Sequence, residues 1–232
     1  MDKMRSPCIA SIFMRNIDQK TVSYQQQVVK KFNPTDIPHY SILSEANPGY
    51  TMDKLVDMLK SKGHDAIMFL DIDCVPVSQD SLSYMFEAAY LGAVVGDAQR
   101  SNHIDNGQHV FAAPHNVTFS IETYEKLGKP SFMPNYRGDV AEELTFASEE
   151  NDVPVWIIMP LRFDAPPIRM EWEKDSEPFW RLADGMPYYG IGTTFGRLID
   201  GVSSDMFWHN YQIFHQGQQE RFWAKCEQLL KD

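Results

Sequence analysis

IMFLDIDCVP, residues 67–76, decides how this chain is read. It runs apolar for four residues, places Asp71 and Asp73 two apart, and reaches a proline. A strand apolar along its whole length has both faces covered, as in a sheet packed between helices. What precedes it agrees. Pro7 to Phe13 reads as a first buried strand. Thr21 to Phe32 reads as a helix with Tyr24, Val28, Val29 and Phe32 near one face. His39 to Leu43 reads as a second strand. Tyr50 to Lys62 is a helix, because Met52, Leu55, Val56 and Leu59 follow the 3.6-residue period and Gly63 stops it. Ala66 to Leu70 is then the third strand, and Ser78 caps a helix carrying Leu82, Met85, Phe86 and Ala89. This alternation predicts an α/β fold with a mainly parallel sheet flanked by helices. In such sheets ligands sit beyond the carboxyl ends of the strands, which is where Asp71 falls.

The second half is less regular. Residues 93–96 (AVVG) and 116–120 (NVTFS) read as strands, with a polar loop, GDAQRSNHIDNGQ, between them. Ile121 to Leu127 reads as a short helix, Asp139 to Glu150 as a helix, and 153–159 (VPVWIIM) as a strand. Residues 160–190 are rich in Pro and aromatics, among them Trp172 and Trp180, and suggest an irregular acceptor wall or lid. Residues 206–215 (MFWHNYQIFH) read as a strand leading into a last helix. One domain over 1–232 is expected, in two halves, 1–135 and 136–232, the second ending in that helix.

Composition narrows the class. Hydrophobic residues at 43% in a 232-residue chain suffice for a full core. No apolar run approaches the roughly 18–20 residues that cross a bilayer. The first residues show a basic start but no small-residue cleavage site, so no signal peptide is expected. Cys8, Cys74 and Cys226 are far apart with no CxxC pair. That argues against a disulfide framework or zinc ribbon and predicts a reducing, cytoplasmic setting. A net charge of −11 makes broad electrostatic binding to nucleic acid a poor fit, though a local basic patch is compatible with it.

In an extended chain, residues i and i+2 point the same way, so Asp71 and Asp73 converge on one site. Two carboxylates this close repel unless a cation or proton lies between them. Mg²⁺ or Mn²⁺ suits them and leaves positions for water or a diphosphate. The plainer alternative has one Asp capping the next turn and the other solvated.

A strand–helix–strand–helix–strand run ending in FLDIDCVP resembles the GT-A-fold, DxD-containing, nucleotide-sugar glycosyltransferases, of the small bacterial or viral type. VTFSIETYEKLGKPSF (117–132) is similar to the strand and short helix that follow DxD in several such enzymes. The resemblance implies a GT-A-like (Rossmann-like) fold, a nucleotide-sugar donor, and Mn²⁺ or Mg²⁺ held by Asp71 and Asp73. It also implies a histidine in a C-terminal strand as third metal ligand. His209 and His215 are the candidates, and His209 is preferred because His215 falls where the last helix begins. The same resemblance places an acidic residue of 137–144 (RGDVAEEL) against the acceptor. An inverting transferase needs such a base for the acceptor's proton, making Asp139, Glu142 and Glu143 the catalytic candidates. Asp139 with Glu142 three later also fits a helix-start capping pattern.

Further donor contacts are expected from position. Arg15 and Asn16 follow the first strand, where this fold meets the nucleotide base and ribose. Arg100, Asn102 and His103 lie in the polar loop. YYGIGTTFG (188–196) reads as a flexible turn, with backbone N–H groups able to cradle phosphate. The acceptor is open: a glycan, a small molecule, a protein or modified DNA.

Two other classes compete. FLDIDCV also resembles the haloacid-dehalogenase-like phosphatase motif DxDx[TV], with Asp71 as nucleophile and Asp73 as acid/base. That motif opens its fold, whereas two strand–helix units precede it here, and no later carboxylate pair ends a strand. The third class is a non-catalytic sugar or nucleotide binder.

Overall fold

The computed structural model describes residues 5–101, 109–166, 168 and 190–232. The chain begins β1 (Pro7–Met14), α1 (Gln19–Lys31), β2 (His39–Ser44), α2 (Pro48–Ser61) and β3 (Ala66–Leu70), in the order the sequence predicts. Local chemistry sets the helix starts. Asp18 accepts the Lys20 N–H and Asn47 accepts the Gly49 N–H, each satisfying a free donor of a first turn. Pro48 occupies the opening of α2, where its missing N–H costs nothing. Gly63 leaves that helix at φ +93°.

A tight turn follows β3. Then come β4 (Cys74–Pro76), α3 (Ser81–Tyr90), β5 (Val94–Arg100), β6 (Val110–Ser120), α4 (Ile121–Lys126) and α5 (Glu142–Glu150). The chain ends with β7 (Val155–Arg162), β8 (Ile191–Ile199), β9 (Val202–Asn210) and α6 (Gln218–Lys231). Among the described residues, nine strands join one sheet in the order β2-β1-β3-β6-β5-β7-β8-β9-β4. The expected parallel pairing holds for β1 with β2 and β3, and for β5 with β7. The remaining junctions are antiparallel. Between β5 and β6, and between β8 and β9, the chain is too short for the crossover of about a dozen residues that parallel neighbours need.

Helices cover both faces. Leu55 and Leu59 of α2 and Tyr124 of α4 pack with Phe69, Phe119 and Phe132 on one side. Met85 and Phe86 of α3 meet Met68, Val95 and Phe207 on the other. A third cluster joins Val28 of α1 and Phe222 of α6 to Phe13, Val75 and Trp208. Among the described residues, no helix is long and apolar enough to cross a membrane.

The second half departs from expectation in several places. The presumed polar loop opens as strand, since β5 continues to Arg100, and residues 102–108 lie outside the described residues. The glycine-rich run is strand β8 from Ile191 onward, not a flexible turn. Gly192 lies there at φ +69°, where the pairing register with β9 shifts. A Cβ at that position would stand 2.1 Å from Asp164 Oδ2. The strand expected over 206–215 ends at Asn210, because Gln212, at φ +66°, turns the chain away. Ala141 at φ +64° delays the helix expected from Asp139 until Glu142. Ser78 does not cap α3; its hydroxyl meets that of Ser81 at 3.0 Å, and Asp80 stands at the cap. Trp172, Trp180 and most of the Pro/aromatic region lie outside the described residues.

Candidate metal centre

The DxD residues sit in a β-turn, not in an extended strand end. The Cys74 N–H closes back on the Asp71 carbonyl at 2.9 Å, with Ile72 and Asp73 at the corner. Convergence of the two carboxylates therefore comes from the turn, and the strand alternation invoked from the sequence is not its cause. The turn also carries the chain from β3, in the body of the sheet, to β4 at its far edge. The sheet must curl for both ends of this short connection to pair. That curl brings β9 against β4 with His209 opposite Cys74.

The result is a compact donor set. One ligand atom each from Asp71, Asp73 and His209 lies within 4.8 Å of the others. His209 Nε2 stands 3.4 Å from Asp73 Oδ1. Asp73 and His209 are buried, at 5% and 7% exposure. Burial first, and the Asp73 charge second, raise Asp71 from 3.8 to about 7, with His209 opposing. For His209, burial disfavours the charge, but Asp73, Asp71 and Asp97 together outweigh it and raise its pKa. Asp71 and His209 thus both hold a proton more tightly, the first mainly because it is buried and the second because carboxylates surround it. Among the described residues lining the cavity around it, none is Lys or Arg. Two carboxylates and an imidazole form a hard, oxygen-rich donor set that fits Mn²⁺ or Mg²⁺.

The cavity has a volume of about 400 Å³. Ile12, Phe13 and Met14 from the end of β1 form one wall, and Tyr211, Gln212, Phe214 and His215 form another. A side chamber of about 180 Å³ adjoins it, sharing Ile12, Pro48, Asp71 and Pro114. His115 lies on the floor, its ring stacked on His209 at 4.1 Å between centroids. Its Nε2 faces Asp97 Oδ2 at 3.5 Å. Asp97 is fully buried, and burial is the main reason its pKa rises from 3.8 to about 8.

Other expected site residues lie elsewhere. His215 reaches the cavity from the turn after β9 and does not share a strand with His209. Arg15 is exposed and paired with Glu45, while Asn16 is exposed in the following turn. Arg100 ends β5, and Asn102 and His103 lie outside the described residues. Asp139, Glu142 and Glu143 line neither the cavity nor its side chamber. Glu142 is fully buried and accepts from the Asp139 N–H at 2.7 Å, Ser101 Oγ at 2.8 Å and His109 Nδ1 at 2.5 Å. Burial would raise its pKa, but these bonds prevail and lower it. Glu143 is engaged by Arg137 and Asn135. The N-cap position of α5 falls on Ala141 with no side-chain cap, so Asp139 does not cap the helix; the Glu142 carboxylate instead braces the segment that leads into it. His115, Thr193 and the buried Asp97 were not singled out from sequence. The one available signal for His115 was its place just ahead of the 116–120 strand.

No protein-family model matches the chain, and no curated protein matches it in sequence. Among solved structures, it is similar to a Drosophila β-1,4-galactosyltransferase 7 in complex with manganese, UDP-Gal and xylobiose. Identity there is 12%, over 91% of this chain and 98% of that one, with a TM-score of 0.46. A cytidylyltransferase from Leptospira borgpetersenii is similar at 14% identity, over 70% of this chain and 79% of that one, TM-score 0.43. A Desulfovibrio desulfuricans protein assigned as a nucleotide-diphospho-sugar transferase matches at 9% identity, over 67% and 80%, TM-score 0.43. Likeness at this level carries no chemistry across. The chemistry has to come from the residues of this chain.

Proposed function

We propose that the protein is a metal-dependent glycosyltransferase that moves a sugar from a nucleotide-sugar donor to an acceptor hydroxyl. One observation carries the reading: Asp71, Asp73 and His209 converge in a 400 Å³ cavity whose described lining includes no Lys or Arg. A diphosphate entering a cavity already lined by two carboxylates needs a cation as counter-charge. Mn²⁺ or Mg²⁺ held by these three side chains supplies it and offsets the charge on the departing diphosphate.

The chain's own residues prepare the place. The Asn210 N–H holds the Asp73 carbonyl at 2.9 Å, fixing one side of the turn. His115 stacks on His209 and limits the rotation of its ring. Ile12, Phe13 and Ile72 keep the walls apolar, which strengthens every charge interaction inside. Acceptors approach along Tyr211, Gln212 and Phe214, the last of which is 55% exposed.

Thermal melts with nucleoside diphosphates, with and without Mn²⁺, test this. Stabilisation that needs both, and disappears in Asp73→Asn, supports it. No response to any nucleotide defeats it. Turnover of a generic phosphoester with covalent trapping at Asp71 would favour the phosphatase instead, and donor binding with neither hydrolysis nor transfer would favour the binder.

A further inference from the structure

Gln25 is out of place by the rules of its helix. It lies on the inward face of α1 with Val22, Val28 and Val29, and it is fully buried. An apolar side chain is the ordinary occupant of such a position. Its Nε2 donates to the Asp71 carbonyl at 2.5 Å and to the Cys74 carbonyl at 3.1 Å. These are the first and last residues of the turn bearing both aspartates. Two carbonyl acceptors fix the orientation of the amide, because only the NH₂ end has two hydrogens to give. The other end is left bare: Oε1 is buried with no hydrogen-bond partner among the described residues. A buried acceptor without a partner forfeits its hydrogen bond to water and destabilises the fold. For stability alone, Leu or Met would serve this face of α1 better.

We propose that Gln25 is a positioning residue of the cation site, clamping both ends of the Asp71–Cys74 turn so that the carboxylates converge before an ion arrives. The proposal rests on the metal reading of Asp71, Asp73 and His209. Two like charges drive a free turn to open. Gln25 opposes that opening from α1, while the Asn210 N–H holds the Asp73 carbonyl from β9. Three of the turn's four carbonyls are thereby tied to neighbouring elements or to the turn's own closing bond. Asn210 is itself anchored, its Nδ2 donating to the Gln218 carbonyl at the start of α6 at 2.7 Å.

The test compares the 232-residue chain with Gln25→Met and Gln25→Glu. Mn²⁺ affinity is titrated by electron paramagnetic resonance, and amide hydrogen exchange is measured without metal. Gln25→Met keeps the packing and removes both donors. Its Mn²⁺ affinity should fall about tenfold to a hundredfold, the range for groups that orient metal ligands. Its melting midpoint should hold or rise. Gln25→Glu presents acceptors to two carbonyls and should bind Mn²⁺ more weakly still. Without metal, exchange at the Cys74 and Asn210 amides should accelerate in both variants, while the β1–β3 pairing stays protected. A merely structural role predicts the opposite ranking, with Gln25→Met at least as good as the parent. Unchanged affinity and unchanged exchange in Gln25→Met overturn the proposal. If the parent binds no Mn²⁺, the metal reading fails separately and exchange alone decides the clamp: acceleration confined to the turn upholds it, and none refutes it.

Discussion

His209 Nε2 stands 3.4 Å from Asp73 Oδ1, one on β9 and the other in the turn that precedes β4, the edge strand of the sheet. The curl of the sheet, the pairing of Cys74 with His209 and the Asn210 N–H bond to the Asp73 carbonyl bring them together. Removing either side chain should therefore disable the same site. Asp73→Asn and His209→Ala are each expected to weaken Mn²⁺ binding by about tenfold or more, read by calorimetric titration. Parent-like affinity in both would dismiss the site.

The pH dependence of metal-free stability has a definite sign. Asp71 titrates at about 7 when folded, against 3.8 as its reference, so the folded state holds that proton more tightly. Its contribution is fully present below pH 4 and is lost as pH rises through 7. Asp71→Asn has no such proton to lose. Urea unfolding at pH 5 and pH 8 without metal should show the variant gaining on the parent at the higher pH. Equal pH slopes in the two proteins would contradict the raised pKa.

Glu142 offers a contrast between a stabilising and a catalytic carboxylate. It is buried and bonded to His109, Ser101 and the Asp139 N–H. Hydrogen bonding to Glu142 is the main reason that the His109 pKa is raised. Breaking a buried pair of this kind costs about 3–5 kcal/mol. Glu142→Ala should lose stability on that scale in urea unfolding while Mn²⁺ affinity stays put. Intact stability with lost transfer activity would return Glu142 to the catalytic list.

Phe222 of α6 is fully buried and stacks near Trp208 of β9, with ring centroids 6.2 Å apart. Truncation to Ala leaves a cavity beneath the helix and should cost about 3–5 kcal/mol. Because β9 also carries His209, Mn²⁺ affinity should fall as well, though less than in His209→Ala. Differential scanning calorimetry and the same titration check both.

The apolar run of β3 and the period of α2 made the first five elements legible, since each follows from local pattern and caps. The bounds of α2 moved by only two residues at the start and one at the end. Beyond Arg100, α4 and β7 fall where local pattern puts them, but elsewhere it misled. Gly192 looked like a turn signal but serves a bulge in a paired strand, and Gln212 reverses the chain without a Gly or Pro to announce it. Positive φ at Gln212 and Ala141 is imposed by tertiary packing, and residue type does not betray it.

At the site the division is the same. The sequence by itself determined that two aspartates stand at the end of a buried strand, with no basic residue between them, and that a histidine follows in a late strand. Only the tertiary structure decided that they meet, because convergence depends on a turn and on a curled sheet whose two ends lie far apart in the chain. Likewise, only packing showed Glu142 bracing the segment that leads into a helix and Gln25 gripping the aspartate turn. Such hydrogen bonds depend on how segments distant in the chain pack together, which local periodicity does not encode.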